Sequence, residues 1–189
     1  METLETKSAE QIFRDQLELG GTGTEIAHRM AEAAARIREE EDKTREEVAE
    51  VLTRTADDVK KSIGDTETDI LPEGVAGEAY QGTASATVDL TKTLDSGGPS
   101  LIDAEWANDI RLHEERHEQQ ADAPNQTSVI KDGEEISWRD ISEYDAIEAQ
   151  KTPNRISHEY QQIHAKVEKL VGKKARDVAL SGDMASLAA

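Results

Sequence analysis

The first sixty residues place apolar side chains three and four positions apart, which is the spacing of amphipathic helices. Ser8 and Gln11 form a capping-box pattern at the start of a short helix over residues 7–19. Glycines at positions 20, 21 and 23 end that helix, and a second apolar series follows over residues 24–63. Its small or apolar positions are Ile26, Met30, Ala33, Ile37, Thr44, Val48, Val51, Thr55 and Val59.

This second series has the periodicity of a coiled-coil-like seam, with a gap at Glu40 inside the charge run 39–43. It predicts one helix, roughly 60 Å long if straight. Such a helix is too long for a small globule to cover. We therefore expect residues 1–64 to form a helical arm or hairpin. Residues 24–63 would bind a protein partner or a second copy of the chain.

The pattern changes over residues 65–99, where glycine, threonine and two prolines replace the helical spacing. Apolar and polar residues alternate only around Thr87, Val88 and Leu90. We predict a linker in which residues 86–91 form one edge strand.

Helical spacing returns over residues 100–122, with Ser100 as the predicted cap and Asp103 at the third helical position. One face of this helix carries Trp106, Ile110, His113, His117 and Gln120. Because the two histidines share a face with a tryptophan and an isoleucine, we expect their rings to point inward.

A β-hairpin with Asp132–Gly133 at its turn is predicted over residues 128–136, followed by a helix over 138–150 that Ser137 caps. A last helix starts at about residue 154 or 157 and ends near 170, and the tail after residue 181 should fray. The chain is thus predicted to be mainly α. A long N-terminal arm or hairpin joins a small helical domain, residues 100–189, that has a minor β-hairpin.

Charge and composition narrow the range of functions. The 189 residues carry a net charge of -19, which disfavours nucleic acid and anionic membrane surfaces as partners. No apolar run reaches transmembrane length, and the first residues lack the features of a secretory signal. We expect a protein that is cytoplasmic, or exported without a Sec-type signal peptide. Cysteine is absent, so any metal must bind to histidine and carboxylate side chains.

The predicted helix over 100–122 contains a His-Glu-x-x-His motif formed by His113, Glu114 and His117. Residues four apart lie on one helical face, so the two imidazoles can bind one metal ion. Glu114 lies beside them, where its carboxylate can take a proton from water at the metal. A third ligand is needed. Helical-wheel geometry leaves Glu143, at the edge of the apolar face of the next helix, and Glu148, in the middle of that face.

Residues 113–120, His-Glu-Glu-Arg-His-Glu-Gln-Gln, and residues 143–146, Glu-Tyr-Asp-Ala, resemble motifs of the small gluzincin-type metallopeptidase domains known as minigluzincins and of similar domains of bacteria and archaea. Those domains carry His-Glu-x-x-His-x-x-Gln and a later Glu-x-x-Ala helix. The resemblance implies a zincin-like fold and Zn²⁺ bound to His113, His117 and Glu143. The chain departs from the family in its charged residues at 115 and 116.

If the resemblance holds, Glu114 is the general base, and a donor from the last helix stabilises the oxyanion. The candidate donors are His158, Tyr160 and His164, and Asp122 or Asp145 would orient a ligand histidine. The leading hypothesis is a zinc metallopeptidase acting on proteins or peptides, as a module of a secretion or toxin system. The alternatives are an acidic helical adaptor with an incidental motif, and a degenerate zincin that binds metal only for stability.

Overall fold

A computed structural model of the protein describes residues 7–39, 45–79, 86–95, 97–152 and 156–188. These residues form seven α-helices and two small sheets, which confirms a mainly α fold. The helices are α1 Ala9–Glu18, α2 Gly23–Glu39, α3 Glu46–Ser62, α4 Ala104–Gln119, α5 Trp138–Ala149, α6 His158–Leu170 and α7 Lys174–Ser181. The strands are β1 Gly21–Thr22, β2 Glu67–Thr68, β3 Gly77–Glu78, β4 Thr87–Val88, β5 Ser128–Lys131 and β6 Glu134–Ser137.

The chain divides into two compact units, and α4 begins in the first and ends in the second. The first unit comprises Met1–Glu78 and Ala86–Arg111, and the second comprises Ala79–Ser85 and Leu112–Ala189. The division into 1–64, 65–99 and 100–189 stays a prediction. None of the described helices combines the length and the apolar character that crossing a bilayer demands.

Of the two predicted forms of this region, the structure has the hairpin: α2 and α3 run antiparallel, so a single helix over residues 24–63 is wrong. At one end, the amides of Gly23 and Thr24 donate to the carbonyls of Thr66 and Gly64 at 3.0 and 2.7 Å. Towards the other end, the Arg38 guanidinium lies 3.1 Å from the Glu46 carboxylate. Folding back lets the two halves of the apolar seam cover each other. The charge run at which the seam is interrupted falls largely on residues 40–44, outside the described part.

The seam is buried within the core of the first unit. The side chains of this core include Phe13 of α1, Ile26, Met30 and Ile37 of α2, Leu52 and Val59 of α3, and Ile110 of α4. Binding of a partner or a second copy through residues 24–63 stays a prediction.

The described part of residues 65–99 contributes to the same core. β1–β4 form a sheet in the order β1-β2-β4-β3, so β4 pairs on both sides and the predicted edge strand over 86–91 is wrong. Val88 and Leu90 are buried in the core. The buried Asp89 carboxylate accepts bonds from the amides of Leu71 and Thr91 at 3.0 and 2.8 Å. The local alternation of residues predicts a strand. It does not predict which strands pair with it, and pairing on both sides is what makes β4 an interior strand.

Helix α4 starts later than predicted. The amide of Trp106 donates to Asp103 Oδ1 at 3.0 Å, which makes Asp103 the capping residue in place of Ser100. The Ser100 hydroxyl instead accepts a bond from the Ile102 amide. Either cap leaves the face that carries the histidines unchanged, because the helical register is the same.

The second unit begins with the elements that the sequence predicts. β5 and β6 pair antiparallel around Asp132 and Gly133, whose φ angles of 52° and 83° are those of a type I′ turn. Ser137 and Asp140 form a capping box at the start of α5. This box fixes the helix that carries Glu143.

The chain after α6 is more ordered than predicted. Helix α7 follows, and Gly182, at φ 71°, ends it with a left-handed turn. Met184 and Leu187, on a short 3-10 helix over Met184–Ala188, are buried in the second core. A frayed tail after residue 181 is therefore wrong for the described residues. Met184 and Leu187 are three residues apart, but the residues they pack against are distant in the sequence, so the local pattern does not reveal their burial.

Gly23 tests the closure of the α2–α3 hairpin. A Cβ at this position would lie 2.4 Å from Ile63 Cγ1 and 2.7 Å from the Gly64 carbonyl oxygen. We expect Gly23→Ala to lower the free energy of unfolding by about 2 kcal/mol, because the hairpin must open to admit the methyl group. Urea denaturation followed by circular dichroism measures the change.

Gly97→Ala is the matched control, since its Cβ would meet only Asp95 Oδ1 at 3.5 Å. It should stay within about 0.5 kcal/mol of the parent protein. Equal effects of the two substitutions would contradict the close approach at Gly23.

Candidate metal centre

Helices α4 and α5 bring three potential metal ligands together in the second unit. His113 Nε2 and His117 Nε2 lie 3.1 Å apart, and Glu143 Oε2 lies 3.2 Å from the first and 3.6 Å from the second. The ligand atoms of the three residues all lie within 4.8 Å of one another. These are the three residues that the gluzincin resemblance implies.

The three side chains are screened from water but not sealed from it. The exposed fractions of the His113, His117 and Glu143 side chains are 12%, 13% and 15%. The two rings meet edge to face, with centroids 4.8 Å apart, as expected for residues one turn apart on α4. A small ion or one end of a substrate can reach such a site.

A buried amide determines the tautomer of His117. Gln120 Nε2 donates to the Ser142 carbonyl at 2.9 Å and to Asp145 Oδ2 at 3.1 Å, and both of these atoms can only accept. The orientation of the amide is therefore settled, and Gln120 Oε1 faces His117 Nδ1 at 3.0 Å. Since Oε1 also only accepts, Nδ1 carries the hydrogen. His117 Nε2 then presents a lone pair towards Glu143.

Arg116 anchors this network. Its guanidinium donates to both oxygens of Asp145, at 2.7 and 2.9 Å. The two side chains are only 11% and 3% exposed. The charged residue inside the His-Glu-x-x-His motif thus belongs to a buried ion pair rather than to a solvated face. Asp145 acts on His117 through Gln120, whereas Asp122, the other candidate for this role, is exposed.

Gln150 is the neighbour of the other imidazole. Its side-chain nitrogen lies 2.9 Å from His113 Nδ1. Because an amide nitrogen only donates, His113 Nδ1 accepts this bond, and the hydrogen of the neutral ring lies on Nε2. Metal binding at His113 Nε2 therefore requires the Gln150 amide to turn its oxygen towards Nδ1. Two restrained rings form a more rigid pair of ligands than two free ones.

The carboxylate of Glu143 faces both imidazoles. Oε2 is buried and, among the described residues, has no partner in hydrogen-bond geometry. Burial alone raises the pKa of Glu143, but His113 and His117 outweigh burial and hold it at about 2. Burial likewise lowers the pKa of His117, but Glu143 and Gln120 reverse this and raise it overall. The two imidazoles thus stabilise the charged form of Glu143, and Glu143 in turn stabilises the protonated form of His117.

Glu114 and Tyr160 lie next to the cluster. Glu114 is buried, and its charge helps to raise the pKa of both His117 and Tyr160. The Tyr160 ring lies 6.1 Å from the His113 ring, centroid to centroid. Burial is the main cause of the raised pKa of Tyr160, so its hydroxyl stays protonated and can donate. The structure thus brings a carboxylate and a phenol to the imidazole pair.

Three other predicted residues lie elsewhere. His158 is exposed and bonds to Gln162 Nε2 at 2.9 Å. Glu148, the alternative third ligand, lies 2.7 Å from Nε2 of His164. His164 itself stacks on Tyr144 at 4.8 Å. Glu148, in the middle of the apolar face of α5, points towards α6. Glu143, at the edge of that face, points towards α4.

Several residues of the site were not predicted, namely Arg116, Ser142 and Gln150. The helical spacing places Gln120 on the correct face but does not reveal its role. Its position three residues after His117 was a usable signal, because such residues meet on a helix. Ser142 and Gln150 contact their partners across 22 and 37 residues of chain, so no local pattern reveals them.

Replacing Arg116 tests whether its ion pair with Asp145 stabilises the fold. We expect Arg116→Leu to lower the free energy of unfolding by about 3 kcal/mol, because it leaves the buried Asp145 charge uncompensated. Arg54→Leu removes an exposed pair with Glu50 on α3 and should cost less than about 1 kcal/mol. Urea denaturation measures both, and similar small losses would contradict a buried ion pair.

The charges of the cluster predict a pH dependence in chelator-treated protein. The folded-state pKa of Glu143 is lowered from 4.5 to about 2. Its contribution to the free energy of unfolding is therefore present above pH 4.5 and is lost as the pH falls towards 2. The folded-state pKa of His117 is raised above 6.5, so His117 stabilises the fold fully below pH 6.5. That stabilisation is lost as the pH rises through the folded-state pKa.

The stability advantage of the parent protein over Glu143→Gln should therefore be largest between about pH 4.5 and 6.5. Denaturation at a series of pH values measures it. Glu148→Gln, which removes the partner of His164, is the control and should stay within about 0.5 kcal/mol throughout. An advantage that is flat with pH would show that Glu143 and His117 are not coupled.

Comparison of the chain with protein-family models, with curated proteins and with solved structures yields no match. The likeness to gluzincins therefore depends on the two short motifs alone. The function has to be argued from the side chains that the fold brings together.

Proposed function

We propose that the protein is a zinc-dependent peptidase that hydrolyses peptide bonds of a protein or peptide substrate. The observation that carries the proposal is the convergence of His113 Nε2, His117 Nε2 and Glu143 Oε2, with the carboxylate oxygen buried and lacking a directed donor. A metal ion at this point would bind all three atoms at once.

The donor set fits zinc. Two imidazole nitrogens and one carboxylate oxygen, all from the protein, are the ligands of catalytic zinc sites that leave the fourth position open. The Nδ1–H tautomer of His117, imposed by Gln120, leaves Nε2 free to bind the ion. Structural zinc sites usually have four protein ligands, whereas the histidine and acidic side chains of the described residues provide three here.

The neighbouring side chains supply what peptide hydrolysis needs besides the ion. Zinc bound at this site would polarise a peptide carbonyl and acidify water. The Glu114 carboxylate takes the proton of the attacking water and delivers it to the leaving amine. Tyr160, protonated and beside His113, donates its hydroxyl hydrogen to the developing oxyanion. His158, exposed and bonded to Gln162, is not part of this arrangement.

The proposal is tested first by metal content. Protein purified without a histidine tag should contain about one zinc per chain by mass spectrometry. Zinc at a hundredfold excess over its dissociation constant should add about 2.7 kcal/mol of stability, and a chelator should remove it. Glu143→Ala should reduce both effects, whereas Glu148→Ala should keep them. Zinc content near zero in the parent protein would exclude the proposal.

Catalysis is tested by Glu114→Gln, which keeps the shape of the side chain but removes the base. We expect zinc to remain bound and hydrolysis of a fluorogenic peptide library to fall at least about a hundredfold. Glu115→Gln, next to it in the motif, is the control and should keep zinc and activity. Cleavage that persists in Glu114→Gln would exclude this general base. Zinc without cleavage in the parent would leave a metal site that serves stability alone.

A further inference from the structure

A guanidinium group lies beside the candidate metal centre. Arg139 and Glu143 are one turn apart on α5 and so share one face of the helix. Arg139 Nη2 donates to Glu159 Oε1 at 3.0 Å, and both side chains are 63% exposed. One turn of α5 thus presents a metal ligand and, at the solvent side of it, a cation.

Helix α6 connects this arginine to the imidazole pair. Glu159, its partner, precedes Tyr160, whose ring packs 6.1 Å from His113. Burial and the charge of Glu143 raise the pKa of Tyr160, and Arg139 opposes them through a hydrogen bond and its charge. The guanidinium and the phenol are therefore neighbours, on the side of the centre where Tyr160 stands.

Two arginines near the centre differ in availability. Arg116 is only 11% exposed and holds Asp145 with two bonds, so its guanidinium is already engaged. Arg139 is exposed and bonds Tyr160 and the exposed Glu159 carboxylate, and ion pairs between exposed side chains are weak. A second carboxylate can displace Glu159 at little cost. It would also gain the planar two-bond geometry that guanidinium offers.

A cation is unusual in these surroundings. Glu114, Glu143 and Glu159 are all acidic, and the chain as a whole carries a charge of -19, which repels acidic ligands at long range. Any acidic group that binds at this centre must be compensated locally. Arg139 is the exposed cation on the helix face of Glu143 that can compensate it.

We infer that Arg139 binds a carboxylate of the substrate next to the bond that is cleaved. The inference rests on the proposed peptidase function and names its substrate class. The carboxylate is either the C-terminus of a peptide or the side chain of an acidic residue, and both offer the same planar pair of oxygens. Glu159 occupies the position of that carboxylate until the substrate displaces it.

Two small hydroxamates test the inference without requiring turnover. Succinic acid monohydroxamate ends in a carboxylate, and butyrohydroxamate ends in a methyl group at the same distance from its zinc-binding group. Calorimetry on the zinc-loaded protein should show that the first binds about tenfold more tightly. In Arg139→Gln the ratio of the two affinities should fall to about one. Arg54→Gln, which removes an equally exposed arginine paired with Glu50, should keep the tenfold ratio.

Glu159→Gln should change the ratio of the two hydroxamate affinities in the opposite direction. It removes the carboxylate that competes for Arg139, so the preference for the charged hydroxamate should rise severalfold. A purely structural role for the Arg139–Glu159 pair would affect both variants in the same way. Thermal melting of each variant checks that it remains folded.

The outcomes separate this inference from the proposed function. If neither hydroxamate binds the zinc-loaded protein, the metal proposal fails. If both bind equally and Arg139→Gln changes nothing, the carboxylate inference is overturned while the metal site stands.

Three peptides distinguish the two sources of the carboxylate. The first has a free C-terminus, the second has an amidated C-terminus, and the third has an amidated C-terminus and an internal aspartate. Faster cleavage of the first indicates the C-terminus, and faster cleavage of the last indicates an acidic side chain. Equal rates for all three would again contradict the inference.

Discussion

The candidate centre depends on the convergence of three potential ligand atoms, two ring nitrogens and one carboxylate oxygen, that the fold holds together. His113 and His117 turn their Nε2 atoms to within 3.1 Å of each other, and Glu143 Oε2 lies 3.2 Å from the nearer one. In water such atoms would separate or bind solvent, but here they are largely buried. Without metal, imidazole hydrogens can face the carboxylate, whereas a divalent ion would bind all three atoms at once.

What keeps the rings in place is a second layer of contacts that ends in a buried ion pair. Arg116 fixes Asp145, Asp145 orients the amide of Gln120, and the amide oxygen then takes the Nδ1 hydrogen of His117. Each step has a direction, because guanidinium only donates and carboxylate only accepts. A solvated helix with a histidine pair would have no reason to bury this chain of contacts. The arrangement therefore favours a metal ligand over an incidental motif.

The sequence revealed local features and missed the distant ones. Helical spacing placed α4, α5 and α6, and the aspartate–glycine pair located the turn between β5 and β6. The inward face of α4, with His113 and His117, followed from the same spacing. The gap in the seam at Glu40 marked the break between α2 and α3. The interior position of β4 and the packing of Met184 depend on pairings across the chain, which no periodicity contains. Glu143 was selected over Glu148 by resemblance. The helical wheel alone did not separate them, because it shows burial without showing which helix covers each face.

The two arginines show why residue type alone does not assign a role. Arg116 is one of the charged residues by which the motif departs from the family, yet it is 11% exposed and holds Asp145 with two bonds. Arg139 lies outside any motif, yet it is on the helix face of Glu143 and its ion pair with Glu159 is exposed. Desolvation makes the first contact persistent and therefore suited to positioning a ligand. Solvent access makes the second contact weak and therefore suited to exchanging one carboxylate for another.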